Sequence, residues 1–212
     1  WSRDDLAMLA DLCVRHDLIA ICDEVWEHVV FDGAHVPLLA IPGMRDRCVK
    51  IGSAGKIFAL TGWKVGWMLA APPIARQLGK AHQFLTFTTP PNLQAAVAYG
   101  LGKERDWFVQ MRDTFARQRA RLETGLRAAG FVTPPSTATW FLSVDLAASG
   151  IMLDDESFAD HAVREAGVAT IPMSAFYADA PIRNLLRLCF CKSDDILDEA
   201  IDRLTKLRRN LI

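Results

Sequence analysis

The sequence predicts an α/β protein, because short apolar runs of strand length alternate with amphipathic helical segments. The first two runs cover residues 18–22 and 48–52, and they stop at Asp23 and Ser53. Continuous apolar runs are typical of strands that are covered on both faces. In open α/β sheets ligands bind beyond the carboxyl ends of the strands, so we expect Asp23 and the turn at residues 53–56 to meet at one crevice.

The rest of the first half follows the same patterns. We predict a helix at residues 4–16 with Ser2 as its N-cap, an exposed loop at 35–42, a strand at 66–71, a helix at 74–85, a buried alanine-rich helix at 93–101 and a long charged helix at 104–129. A helix of that length with a solvated face suits a connector between domains.

After residue 138, strands and helices alternate over a short length, which indicates a small α/β domain. Strands are predicted at 139–144, 168–171 and 185–191, with helices at 154–166 and 196–207.

Composition excludes several classes of function. The 212 residues carry a formal net charge of −1 and no basic run, which argues against nucleic acid as a partner. No segment is apolar over the length that a bilayer requires, so no membrane partner is expected. The five cysteines are an odd number and lie mostly in apolar runs, which favours reduced thiols in a cytoplasmic protein. The histidines are scattered, and we expect no metal site.

The segment that carries chemistry reads SAGKIFALTGWKVGW from Ser53 to Trp67. Lysine attacks carbonyl compounds only as the neutral amine, which desolvation or a nearby cation favours. Lys56 has the apolar neighbours Ile57 and Phe58, and a second cation, Lys64, follows in the same segment. This pattern predicts a reactive amine beside an anion site.

The same segment closely resembles the cofactor-lysine segment of the class I/II aminotransferases, which use pyridoxal 5′-phosphate (PLP). The likeness continues from Asp23-Glu24-Val25 to Arg187-Leu188-Cys189-Phe190. Within the family it is similar to the branch of kynurenine, glutamine-phenylpyruvate, methionine and N-succinyldiaminopimelate aminotransferases. The resemblance implies the PLP-dependent transferase fold type I, with a mixed, mostly parallel sheet in a partial large domain and a small α/β C-terminal domain.

The resemblance also implies a role for each matching residue. Lys56 would bond the cofactor aldehyde and shuttle the substrate Cα proton, and Asp23 would pair with the pyridine nitrogen. Ser53 and Lys64 would contact the phosphate by a hydroxyl hydrogen bond and by charge. Arg187 would hold the substrate α-carboxylate with two parallel bonds, a task that suits a guanidinium.

The chain departs from the family pattern in two ways. Trp26 stands where family members usually have the tyrosine that binds the cofactor 3′ oxygen, and an indole N–H donates but has no acidic hydroxyl. Roughly half the family polypeptide precedes the position of Trp1, so we expect a truncated product or a missing half supplied from elsewhere. On this basis residues 1–118 are the later part of the PLP-binding large domain and 119–212 the small domain.

The expected activity is transfer of an amino group between an amino acid and a 2-oxo acid. The amino acid would be aromatic, methionine, glutamine or of the N-succinyldiaminopimelate type, and Trp140, Phe176 and Tyr177 are candidates to line its pocket. A carbon–sulfur lyase or cyclopropane-forming synthase of the same fold is the enzymatic alternative, and an aminotransferase-like effector domain of a transcription regulator is the other. The loop at residues 88–92 resembles a segment near the partner's active site, which implies a homodimer.

Overall fold

The chain divides into two compact units. The computed structural model describes residues 1–212, with a first unit of residues 1–108 and a second of 109–212. The boundary falls inside the long helix α5, Arg105–Ala128. The predicted domain boundary after residue 118 lies in the same helix.

The first unit holds four helices, three strands and two short 3₁₀ turns. In chain order these are α1 Arg3–Arg15, β1 Ala20–Asp23, a 3₁₀ turn Leu38–Ala40, β2 Cys48–Ser53, α2 Ala54–Ile57, a 3₁₀ turn Thr61–Trp63, β3 Gly66–Leu69, α3 Pro72–Leu85 and α4 Pro91–Leu101. Helix α5 begins at the end of this unit.

Helix α1 starts where the sequence predicts it. The Ser2 hydroxyl accepts the N–H of Asp5 at 3.1 Å, and the Asp5 carboxylate accepts the N–H of Ser2 at 2.8 Å. This reciprocal capping box satisfies two backbone donors of the first turn. Ala10 and Cys13 then lie on the buried side of the helix, so the predicted amphipathic pattern is confirmed.

The first sheet has the order β1-β2-β3, with β1 parallel and β3 antiparallel to β2. Strand β2 is central and largely buried. The prediction that β1 is covered on both faces is wrong, because Ile21 is 72% exposed. Strand β1 lies at the sheet edge and one of its faces is open, so Ile21, one of its three apolar residues, has no covering layer.

Two further expectations for this unit are corrected. Helix α4 buries only Val97, so the predicted buried helix is mostly exposed. The predicted exposed loop at 35–42 instead packs inward through Leu38, which joins a core of buried residues that also contains Ala10, Cys13, Met44 and Cys48. Composition identifies apolar segments, but only packing decides which of their faces is covered.

The second unit is a small α/β fold, as predicted. After α5 it contains β4 Phe141–Asp145, α6 Asp155–Ala166, β5 Ile171–Pro172, a 3₁₀ turn Met173–Phe176, β6 Leu185–Cys189 and α7 Asp194–Leu211. The sheet order is β4-β6-β5 and both pairings are antiparallel. The largest fully buried side chains of this unit are Phe158, Phe190, Leu122, Leu126, Leu142, Leu146, Ile151, Leu186 and Leu197.

None of the helices combines the length and the apolar character that crossing a membrane requires.

Candidate functional site

Lys56 lies on α2, the short helix that directly follows β2. Its neighbours Ala54, Gly55 and Ile57 are buried, whereas Lys56 itself is partly exposed. A Cβ added to Gly55 would lie 3.0 Å from the Thr61 Cα, so the small residue permits close approach of the two backbone segments. The helix therefore presents one amine from an otherwise buried turn.

The chain turns back after α2 and brings Lys64 to the same end of the sheet. It follows the 3₁₀ turn Thr61–Trp63 and adopts a left-handed backbone with φ of +56°. The chain then pairs antiparallel with β2, so that Ser53 lies opposite Gly66. Ser53 and Lys64 thus flank α2 on its two sides in the chain, and Lys64 is exposed.

Asp23 is the last residue of the neighbouring strand β1, and Trp26 lies in the turn that follows. Strands β1 and β2 are parallel, with Asp23 opposite Ile51, so the carboxyl ends of both strands lie at the same end of the sheet. Four residues of turn follow β1, and within them Trp26 lies with its ring centroid 5.4 Å from the Lys56 Nζ. The structure therefore brings the Lys56 amine to the loop that follows Asp23.

An aromatic cluster supports the base of α2. Phe58, the C-cap residue of α2, lies 5.4 Å from Trp107 and 6.4 Å from Phe108 between ring centroids. The His28 ring stacks on Phe108 at 4.7 Å, and burial lowers the pKa of His28. Neutral imidazole is the form that suits stacking in this apolar setting.

A buried ionic network anchors the loop after β1, and sequence reasoning missed it. The Lys50 ammonium on β2 pairs with Glu27 and lies 3.9 Å from Glu24 Oε2. Glu24 also accepts the His35 Nε2–H at 2.9 Å and the backbone N–H of Leu38 at 3.0 Å. The sequence did contain a signal for this network, because Lys50 lies inside an apolar run and a buried lysine requires a charged partner.

Arg187 lies in the second unit, within β6. Its guanidinium carbon is 4.1 Å from the Phe141 ring centroid and 4.7 Å from that of Phe176. Its Nε is buried and has no hydrogen-bond partner. The guanidinium thus lies close to two aromatic rings and keeps unused hydrogen-bonding capacity.

The three aromatic residues predicted to line a substrate pocket differ in their burial. Trp140 is buried and meets Phe115 edge-on with 5.9 Å between ring centroids, so it belongs to the core of the second unit. Phe176 and Tyr177 are exposed. Only these two present aromatic surface that a ligand can reach.

The residues of the first unit fit an anionic aldehyde cofactor such as PLP. They supply an amine from Lys56, a carboxylate from Asp23, a hydroxyl from Ser53 and a second cation from Lys64. The close approach at Gly55 gathers the Ser53 hydroxyl, α2 and the Thr61 turn into one compact cradle, since a Cβ there would fill the space between them. No group of three or more His, Cys, Asp or Glu side chains is arranged to hold a metal ion. This donor set is of a kind that suits an anionic carbonyl compound.

Comparison with known proteins gives the family. The family described as "Aminotransferase class I and II" matches residues 1–204, and the chain therefore belongs to the class I and II aminotransferases. The methionine aminotransferase of Escherichia coli is 38% identical over 98% of this chain and 54% of its own length. Kynurenine–oxoglutarate transaminase 1 of Homo sapiens is 32% identical over 100% of this chain and 55% of its own.

A solved structure agrees. The N-succinyldiaminopimelate aminotransferase of Mycobacterium tuberculosis superposes with a TM-score of 0.91 at 40% identity, covering 97% of this chain and 54% of that one. The resemblance to this branch and the type I fold of PLP-dependent transferases are thereby confirmed. The chain spans about half the length of the relatives that it matches.

Proposed function

We propose that this protein is a PLP-dependent aminotransferase that moves an amino group between an amino acid and a 2-oxo acid. The observation that carries the proposal is the position of Lys56, on a short helix after β2 and beside the loop that follows Asp23. The family match supports the same activity. The related proteins bear aminotransferase names, and nothing in the structure favours the lyase or effector-domain alternatives.

We assign four residues to the cofactor. When bound, PLP supplies the electron sink that stabilises the carbanion left when the substrate Cα proton departs. The Lys56 amine would attach the cofactor and then, once free, carry that proton. The Asp23 carboxylate would hold a proton at the pyridine nitrogen. Ser53 and Lys64 would bind the phosphate.

Trp26 takes the place of the usual family tyrosine, and we assign it to the same site. Its ring lies over the Lys56 Nζ at 5.4 Å, a distance at which an indole face attracts an ammonium group. Trp26 would therefore orient the amine by its ring face, whereas a tyrosine would act through its hydroxyl.

Arg187 is assigned to the α-carboxylate of the substrate. The support is its half-buried guanidinium with an unpartnered Nε, since an enclosed N–H without an acceptor is unfavourable unless a ligand supplies one. The amino acid is proposed to be of the aromatic, methionine, glutamine or N-succinyldiaminopimelate type.

The organisation of the protein is proposed on the same basis. We assign the first unit to the later part of the cofactor-binding large domain and the second to the small domain. A homodimer is supported by the exposed aromatics around the ends of α3 and α4, where Phe84 is 88% exposed and Phe87 and Tyr99 are also exposed. A cytoplasmic location is proposed from the five free cysteines.

The test of the activity uses the full-length protein with PLP and a panel of single amino acids. We expect 2-oxo acid to form from methionine, an aromatic amino acid or glutamine when a second 2-oxo acid is the acceptor. Lys56→Ala should abolish transfer and Asp23→Asn should slow it, with a larger kinetic isotope effect for Cα-deuterated substrate. Transfer that persists in Lys56→Ala would refute the assigned role of the lysine.

A further inference from the structure

The small sheet fixes one aromatic ring against Arg187. Strands β4 and β6 pair antiparallel with Ser143 opposite Arg187 and Phe141 opposite Cys189. Phe141 is therefore the diagonal neighbour of Arg187, a separation that long side chains span. The guanidinium carbon lies 4.1 Å from the centroid of its ring.

A second ring comes from the 3₁₀ turn after β5. Strand β5 pairs with β6 through Ile171 opposite Arg187, and the turn that follows ends at Phe176. The buried Asp155 carboxylate accepts the backbone N–H of Ser174 at 2.7 Å, which ties this turn to α6. Phe176 is thus held 4.7 Å from the guanidinium although the residue is 57% exposed.

We propose that Phe141 and Phe176 are positioning residues for Arg187, whose rings contact its guanidinium and hold its N–H groups in the orientation that binds a carboxylate. The inference rests on the carboxylate role proposed above. Aromatic faces attract the planar cation and exclude water from its faces. A ligand oxygen must then approach in the plane of the N–H groups, where two parallel bonds form.

Contact with the two rings also reduces the conformational entropy that the Arg187 side chain loses when a ligand binds. A free arginine side chain samples many rotamers, and holding it before the ligand arrives reduces the loss on binding. The enclosed Nε has no acceptor within the chain, so an in-plane carboxylate oxygen would supply its missing bond. Removal of either ring should therefore weaken ligand binding more than it changes the chemical step.

The experiment measures kcat and KM of the full-length enzyme for the most active amino acid of the panel. Phe176→Leu is the main variant, because the exposed side chain can be shortened without opening the core. We expect KM to rise about two- to fivefold, the range of a partly exposed cation–π contact, with a smaller change in kcat. Phe176→Tyr keeps the ring and should keep the KM, and Phe141→Leu should act in the same direction as Phe176→Leu.

The decisive control is the Arg187→Gln background. A residue that acts through the guanidinium should have no further effect on KM once the guanidinium is gone. An equal KM rise from Phe176→Leu in both backgrounds, or none in either, would overturn the positioning role while leaving the role of Arg187 intact. If Arg187→Gln itself leaves KM unchanged, the carboxylate assignment fails and the inference fails with it, whereas transamination through Lys56 is judged separately.

Discussion

Lys50→Met tests whether the buried network after β1 is an essential part of the fold. The Lys50 side chain is 10% exposed, and its partners Glu24 and Glu27 are 10% and 15% exposed. Methionine fills a similar volume but removes the only ammonium that neutralises the two carboxylates in this network. The variant therefore leaves negative charge in a site that water barely reaches.

The expected loss of stability in Lys50→Met follows from the contacts that Glu24 and Glu27 keep in the variant. Glu24 keeps His35 and the Leu38 N–H, so most of the penalty falls on Glu27, whose direct partner is lost. Breaking a buried pair by removing one partner destabilises by about 3–5 kcal/mol, and we expect the lower end of that range. Adding Glu27→Gln removes the stranded charge, so the double variant should recover more than about 1 kcal/mol relative to Lys50→Met.

The assay is urea unfolding of the full-length protein, followed by circular dichroism, with the apparent free energy of unfolding compared at a common slope. Arg164→Gln serves as the matched control, because it breaks an ion pair with Asp160 on the exposed face of α6 and should give no measurable change. A loss below about 1 kcal/mol for Lys50→Met, the value of an exposed pair, would refute the reasoning.

Two further predictions concern packing and thiol ionisation. Gly52→Ala places a Cβ against the Trp67 indole nitrogen and should lower the free energy of unfolding by about 1–3 kcal/mol. Gly62→Ala, where the new Cβ meets no atom within 4 Å, should be near neutral by the same assay. Burial raises the pKa of Cys48 to about 12, so at pH 8 iodoacetamide should label the exposed Cys189 and leave Cys48 unmodified until the protein unfolds. Since the Cys48 thiol binds its proton more tightly in the folded state, its contribution to stability should be lost as pH rises from about 9 towards 12, and Cys48→Ala should flatten that part of the stability profile. Rapid labelling of native Cys48, or an equal loss in both glycine variants, would contradict these two predictions.

The turn around Lys56 could be predicted because its information is local. Ser53, Gly55, Lys56 and Lys64 are close in the chain, and the strand before them is a short apolar run that ends at a polar residue. The parallel neighbour ending at Asp23 follows from the general rule for open α/β sheets. The capped helix α1 is predictable for the same reason, since its signals lie within its first turn.

The features that the sequence could not predict depend on how the strands pair and on which layers pack over the sheet. The partners of Lys50, Glu24 and Glu27, lie in the loop after β1, and only the register of β1 against β2 brings this loop close to Lys50. The exposure of Ile21 depends on which layers cover the sheet, a property that no residue pattern within β1 records. The rings on Arg187 likewise depend on the register of β4 and β6 and on the turn that ends at Phe176.

The central claim is that Lys56 is the residue that attaches the cofactor, and one measurement tests it directly. The full-length protein is incubated with PLP, reduced with borohydride, digested, and its peptides are mapped by mass spectrometry. The account predicts a single major label on the peptide that carries Lys56, with none on Lys64, which lies in the same segment and serves as the internal control. A label on Lys64, or one spread over the exposed lysines, would contradict it.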